Sequence, residues 1–454
     1  VAGPLRVAVV GSGPAGFYAA GSLLAADAAV EVDMIERLPA PWGLVRFGVA
    51  PDHPNIKAVS RAFEKIARQE GFRFLGNVEV GRDLSHDDLA RMYDAVVYAF
   101  GASADRRLGI PGEDLPGSWA ATELVAWYNS HPDYQELEFD LSAERAVVIG
   151  NGNVALDVAR MLALTEDELA PTDTTDAAIA AIAGSGIREI VVVGRRGPVQ
   201  AAWTTPELQE LGELARADVV VDPAELELDA ASAEELEAGD HMLKRNVDVL
   251  REFATREPAG EPRRIVLRFR ASPVAVLGEE RVEAVELVRN ELVPDGKGSV
   301  RAEPTEERET LPCALVFRSV GYRGLPLPGL PFDESSGTMP NDAGRVLGAD
   351  GKPIDGVYCA GWIKRGPTGV IGTNKKDASE TIELLLEDLA AGVIGGGGAP
   401  AEAVDTLLAE RGVDVVTDAG WEAIDAVERS RGEPQGRPRV KLTTWDELLA
   451  AARG

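Results

Sequence analysis

Short apolar runs alternate with segments of helical spacing along the first hundred residues, which is a βαβ rhythm. Residues 5–10 are mostly β-branched or small, as a strand covered on both faces of a parallel sheet must be. A helix is predicted over 15–26, and a second strand over 30–35 closes on Glu36. Turn-forming residues dominate 39–54, a helix is expected over 56–70, and strands follow at 73–80 and 95–100, ending at Gly101. The Gly- and Pro-rich stretch 108–117 reads as a crossover between domains.

The rhythm restarts at Ala146, with a strand over 146–149, a helix, a polar insertion over 165–186 and a strand over 189–193. Residues 207–256 are predicted to be largely helical and 263–318 to be strands with turns. The chain is expected to rejoin the first domain near Gly321. A strand over 356–359 then leads to Gly361-Trp362 and a long helix with Ile382, Leu385, Leu386 and Leu389 on one face. The glycine run 392–398 reads as a flexible linker, and the tail from Val404 as helical, polar and without evident chemistry.

Composition narrows the class. The chain has 454 residues, enough for two or three domains at roughly 150 residues each. Its formal charge of −29 argues against a nucleic-acid binder, although a local basic face remains compatible with it. No apolar run approaches the ~18 residues of a spanning helix and no secretory segment is visible, so no membrane span is expected. The two cysteines, Cys313 and Cys359, form no CxxC, which excludes dithiol redox chemistry, and they are too few for an iron-sulfur cluster that needs about four. Such sparse cysteine fits a reducing cytosol, hence a cytoplasmic protein, while a disulfide between the two stays open. No metal site is expected.

Two glycine fingerprints carry the candidate chemistry. Gly11-Ser12-Gly13-Pro14-Ala15-Gly16 follows the first strand and opens a helix, with Glu36 placed at the end of the next strand. Gly11 permits a tight turn, Gly13 lets the backbone approach a pyrophosphate, and Gly16 allows close helix packing. An acid at Glu36 suits ribose hydroxyls and repels a 2′-phosphate, so this site fits FAD or NAD. Gly150-Asn151-Gly152-Asn153-Val154-Ala155 repeats the pattern, but its second strand ends in Gly194-Arg195-Arg196-Gly197. Two guanidiniums there can clamp a 2′-phosphate, which favours NADP. The predicted fold class is therefore α/β, with two Rossmann-like dinucleotide-binding domains. The FAD domain is discontinuous, 1–105 with 320–454 including the helical tail, and the NADP domain, 106–319, is inserted into it.

Two further segments, Pro41-Trp42-Gly43-Leu44-Val45-Arg46-Phe47-Gly48-Val49-Ala50-Pro51-Asp52-His53-Pro54 and the run from Gly361-Trp362-Ile363-Lys364-Arg365-Gly366-Pro367-Thr368-Gly369-Val370-Ile371-Gly372 to Lys376, resemble the adrenodoxin-reductase-like ferredoxin-NADP reductases of the stand-alone bacterial type. The resemblance spans about residues 5 to 390. It implies FAD contacts at Ala15, Glu36, Leu44, Val80, Trp362, Gly369, Val370 and Ile371, beside the glycines Gly11, Gly13 and Gly16. It implies NADP contacts at Arg106, Asn151, Gly152, Asn153, Val154, Arg195, Arg196, Glu207 and Gly369. It also places His53 and Glu210 as a catalytic pair near flavin and nicotinamide, for positioning or proton management, and Asp157 as an acid linked to partner coupling. The helix from Thr373 would turn its positive end toward the flavin.

The function implied is transfer of electrons from NADPH through FAD, one at a time, to a ferredoxin-type iron-sulfur protein or a flavodoxin. Docking an acidic carrier on an acidic protein needs a local basic face, for which Lys244, Arg245, Arg251, Lys364, Arg365, Lys375 and Lys376 are candidates. An NADPH diaphorase or quinone reductase without a protein partner is the alternative enzyme. An FAD- and NADPH-binding redox sensor is the alternative of another class.

Overall fold

The computed structural model describes residues 3–296, 299–395 and 398–454. Two parallel sheets stand side by side, and each is built on one of the two fingerprints. In the first, the strands Pro353–Cys359, Ala95–Tyr98, Leu5–Val10, Val30–Glu36 and Phe72–Gly76 lie parallel in that order, with Arg345–Leu347 and Asn341–Asp342 added antiparallel at one edge. Every residue of Leu5–Val10 is buried, as its unbroken apolar run requires. The register aligns the carboxyl ends: Val10 pairs with Ile35 on one side and Tyr98 on the other, and Tyr98 pairs with Cys359. Gly11, Ala99 and Ala360 extend the ladder by one hydrogen bond each, so the loops beyond emerge together.

The second sheet orders its parallel strands Ser118–Ala120, Leu315–Arg318, Arg145–Ile149, Glu189–Val193, Arg263–Arg268 and Ala217–Val221. An antiparallel trio, Ala271–Leu277, Ala284–Pro294 and Val300–Pro312, caps it. A two-stranded ribbon of Ala104–Asp105 with Tyr322–Arg323 carries the chain out of the first sheet and back. The mixed α/β architecture with paired parallel sheets is the one the pattern predicts.

Several local expectations change. The strand Ala217–Val221 lies inside a stretch expected to be helical; it is a short edge strand with alternate burial, and acidic helical sequence surrounds it. The helix expected over 56–70 is split into Pro54–Lys57 and Ser60–Ala67, and Lys57 at the break turns inward to Asp173 at 2.8 Å. The described flanks of the glycine run are packed: Ile394 is buried and Gly398 donates to Asp94. Gly396 and Gly397 of the expected linker lie outside the described residues. Cys313 and Cys359 are both free and buried, so the open disulfide does not form.

The tail does structural work that its polarity hides. Helix Ala401–Glu410 packs on one face of the first sheet, with Ala8 and Val10, and helices Asp418–Gly432 and Trp445–Arg453 on the other, with Val7 and Val9; at the sheet's edge Val416 bridges Gly76 and Asp418 accepts from the Phe74 N–H. Glu428, fully buried, takes both terminal nitrogens of Arg46 and also the Leu442 N–H. The Trp421 ring meets Trp42 edge-on at 4.9 Å. The tail thus clamps the loop 41–54 from below.

Removing one partner of a buried ion pair strands the other charge, which typically costs about 3–5 kcal/mol. Glu428→Ala is expected to lose stability of that order in denaturant unfolding followed by tryptophan fluorescence. A loss under about 1 kcal/mol would place the pair with exposed ones.

Candidate active site

Both fingerprint turns have the shape of an anion cradle. At the first, Gly11 (φ +105°) leaves no room for a side chain, since a Cβ would stand 2.7 Å from the Ala99 carbonyl oxygen. A Cβ on Gly16 would come within 2.0 Å of the Gly11 carbonyl, so the helix Pro14–Leu24 can approach its strand only through glycine. Gly13 differs: a Cβ there would meet nothing within 4 Å, which leaves open space over the helix N-terminus. The second turn repeats the arrangement. A Cβ on Gly150 (φ +137°) would lie 2.0 Å from the Ser319 oxygen, whereas Gly152 faces open space at the start of Asn153–Ala163.

Residues chosen from the sequence gather around these two spaces. The Glu36 carboxylate turns back over the first fingerprint, accepting from Ser12 N–H at 3.0 Å, Ser12 Oγ at 2.7 Å and Leu38 N–H at 3.0 Å. Trp42 N–H donates to the Ser12 carbonyl, and a Cβ on Gly43 would be 2.9 Å from Gly13 Cα, so the loop 41–54 lies directly on the turn. Gly361 reaches the same place from the other end of the chain, packed against Ala15. Around the cleft Leu44 and Val370 stand 44% and 57% exposed, unusual for large apolar side chains held in ordered segments. Trp362 stacks at a tilt on Tyr322, 5.5 Å between ring centroids, with its indole nitrogen buried and unpartnered. Gly369 and Ile371 border the start of the helix Ile371–Ala390, and Val80 is half-buried beside the end of the first sheet.

Arg195 and Arg196 project at the end of Glu189–Val193, and among the described residues no carboxylate pairs with either guanidinium. The Asn151 carbonyl accepts from Ala202 N–H and the Asn153 side chain from Thr204 N–H, so the second fingerprint is tied to the segment leading into helix Thr205–Glu210. Val154 is half-buried at the start of the fingerprint helix. Arg106 is exposed beside the ribbon, its Nε donating to the Tyr322 carbonyl.

His53 and Glu210, distant in sequence, meet at 2.6 Å across the gap between the sheets. Glu207 follows at 3.7 Å from the same imidazole nitrogen. The three donor atoms lie within 4.8 Å of one another, and the cation that serves the two carboxylates is Arg160, 3.5 Å from each. Burial draws the His53 imidazole down. The Glu210 hydrogen bond and the charges of Asp157 and Asp52 overcome it, so His53 holds its proton above the usual range. Glu210 is lowered by the same bond. Burial, then the Asp157 charge, pushes Glu207 up to about 7. Burial likewise raises Asp157, which the charges of Arg160 and His53 and the one hydrogen bond from Arg160 only partly relieve.

Among the described residues, the buried polar atoms of this cluster without a hydrogen bond are Arg160 Nη1, Glu207 Oε2 and the Tyr128 hydroxyl. Asp52, Tyr128 and Arg160 were not singled out from sequence. The one visible signal was Asp157 and Arg160, two charges a helical turn apart inside an otherwise apolar helix. Two of the basic docking candidates are committed elsewhere. Lys364 pairs with Asp377 at 3.1 Å, and Arg365 donates to Asn374, both partly buried. Arg245 and Arg251 engage Glu252 and Asp248 on the surface, while Lys244 and Lys375 are exposed.

The chain is 54% identical to the NADPH-ferredoxin reductase FprA of Mycobacterium tuberculosis over 461 aligned positions, covering 99% of this chain and 100% of that one. The chain belongs to the NADPH-ferredoxin reductase family. It is also 43% identical to the mitochondrial NADPH:adrenodoxin oxidoreductase of Arabidopsis thaliana, covering 99% and 95% of the two. The solved structure of M. tuberculosis FprA in complex with NADPH superposes with a TM-score of 0.95 at 53% identity and full coverage of both chains. The pyridine nucleotide-disulphide oxidoreductase family matches residues 5–191. The chain carries no CxxC pair, and its two cysteines are free and buried.

An acid held up to about 7 is protonated below that pH and ionised above it. A carboxylic-acid carbonyl band in infrared difference spectra should therefore disappear as pH rises through about 7 and be missing in Glu207→Gln. A band unchanged by that substitution would assign the proton elsewhere.

Proposed function

We propose that the chain is an NADPH-dependent flavoprotein reductase that takes electrons from NADPH through FAD and delivers them singly to a ferredoxin-type iron-sulfur protein. The reading is carried by the meeting of two open glycine cradles with one acid-histidine-arginine cluster between them, in a chain of this family. In this reading residues 1–105 and 320–454 form the FAD-binding unit, and 106–319 the NADP-binding unit inserted into it.

The residues fit the groups. Gly11, Gly13 and Gly16 would admit the FAD pyrophosphate to the helix N-terminus, with Glu36 turned toward the ribose side. Ala15, Leu44, Val80, Trp362, Gly369, Val370 and Ile371 would supply the surface for the flavin, whose bare apolar side chains and orphaned indole nitrogen match a flat partner with polar edges. Asn151, Gly152, Asn153 and Val154 would receive the NADP pyrophosphate, and Arg195, Arg196 and Arg106 its 2′-phosphate end. When bound, the flavin accepts a hydride from the nicotinamide and releases electrons one at a time. The protein's share is orientation, exclusion of water and charge. Glu207, half-ionised near neutrality, can hydrogen-bond a carboxamide in either role, and the His53–Glu210 pair keeps a proton at the gap. The excess of carboxylates there favours a nicotinamide that has become cationic.

The docking face would centre on exposed Lys244 and Lys375, with Arg245, Arg251 and Lys376 only loosely held by surface partners. No helix among the described residues is long and apolar enough to cross a membrane. The two free thiols suit a reducing cytoplasm.

Anaerobic NADPH is expected to bleach the bound flavin rapidly, and the reduced protein to pass electrons to ferredoxin less well as salt is raised. No bleaching would sink the enzyme reading. Reduction of quinones or dyes but of neither ferredoxin nor flavodoxin would replace it with a diaphorase. Replacing Arg195 and Arg196 together by neutral residues should raise the KM for NADPH by roughly tenfold or more for each lost charge-assisted contact, and that for NADH far less. Equal effects on both would contradict a 2′-phosphate role.

A further inference from the structure

Arg160 is the point at which three separate segments are joined. Its side chain is buried. Nε and Nη2 grip the Asp52 carboxylate at 2.7 and 3.2 Å, and Nη2 also donates to Asp157 at 2.8 Å. Nη1 has no hydrogen bond and stands 3.5 Å from both Glu207 and Glu210. One planar group therefore contacts the loop 41–54, its own helix Asn153–Ala163 and the helix Thr205–Glu210. Asp52 is the residue next to His53, so the grip fixes the backbone from which the imidazole crosses to Glu210.

A rigid fork does this where a point charge would not. The guanidinium presents fixed parallel donors to Asp52 while its third nitrogen points another way, and a lysine ammonium on a flexible stem could satisfy one of these demands at a time. Four carboxylates converge on one arginine and one histidine, so without the fork the loop carrying Asp52 would be repelled by Asp157 instead of held to its helix.

We propose that Arg160 is a positioning residue, whose guanidinium docks the Asp52–His53 backbone on the helix Asn153–Ala163 and thereby delivers the imidazole to Glu210 and Glu207 across the gap between the two sheets. This rests on the reading of that gap as the place where nicotinamide and flavin meet, but the docking itself is a property of the chain.

The two things Arg160 could do predict opposite signs. The groups facing His53 are Asp52 on its own loop, Asp157 and Arg160 on one helix, and Glu207 and Glu210 on another, with the Tyr128 hydroxyl in the same buried field. As a nearby positive charge Arg160 holds the His53 midpoint down, so deleting a mere charge would raise it. As the dock for the loop, its loss parts His53 from Glu210, whose hydrogen bond is the strongest of the influences that raise the midpoint, and the midpoint falls.

The test is NMR titration of the histidines in the oxidised, FAD-loaded protein, with the His53 signal among the four histidines assigned by His53→Gln. In Arg160→Gln the His53 midpoint should fall by about one pH unit or more. In Arg160→Lys, which keeps the charge and is the milder change for folding, it should fall as well. The rate of flavin bleaching at saturating NADPH should drop about tenfold or more with little change in KM, because reacting groups are misplaced and not unbound. A rise in Arg160→Gln, or an unchanged midpoint in Arg160→Lys, would overturn the proposal. A wild-type protein that NADPH fails to bleach would overturn the functional reading alone, since the titration is made without NADPH.

Discussion

A charge taken out of water has to be met by partners on every side, and the charges buried between the two sheets of this protein draw those partners from both. Arg160 stands on the helix that follows the second fingerprint, and Asp52 in the loop 41–54 that follows the first sheet's strand Val30–Glu36. Asp173, from the insertion after the second fingerprint helix, lies between Lys57 of the short helix Pro54–Lys57 and Lys441 of the tail, at 2.8 and 3.0 Å. Its neighbour Thr172 gives its carbonyl to Arg437 of the tail. Sliding one sheet past the other would strand several buried charges together, so the width of the gap is set by ion pairs and not by apolar packing alone.

Within that fixed gap the glycines perform two different tasks. Gly11, Gly16 and Gly150 are glycine because backbone presses on the place where a side chain would be. Gly13 and Gly152 face empty space. Both give access to the first turn of a helix, where unpaired N–H groups and the helix dipole favour an anion. The first kind builds the turn, and the second leaves it open.

What the sequence revealed of this arrangement follows from range. The fingerprints, Glu36 and the Arg195-Arg196 turn are patterns contained within single βαβ units, and the fold sets them at the strand ends and helix starts that the pattern implies. The pairing of His53 with Glu210 was legible only through family resemblance, because no spacing rule connects residues 157 positions apart. Arg160 and Asp52 were passed over for the same reason, although a charged pair inside an apolar helix marks a position that must have buried partners. The edge strand Ala217–Val221 was hidden by its length and by the helical sequence on both sides. The tail was read as inert because its charges look like those of a solvated surface; Glu428 and Lys441 differ from their neighbours only in what the fold brings against them.

The clamp of Arg46 by Glu428 also fixes when the site can exist during synthesis. The partners are 382 positions apart in the chain. At translation speeds of about 5–20 residues per second, roughly 20–80 s separate the emergence of the loop from that of its clamp. Through that interval the first sheet can assemble, but the loop over its glycine turn must wait, with Trp42 and Phe47 lacking their final cover. A nascent chain is thus exposed to aggregation or premature proteolysis at the segment that later borders the cofactor cleft, and completion of the last helices ends that exposure.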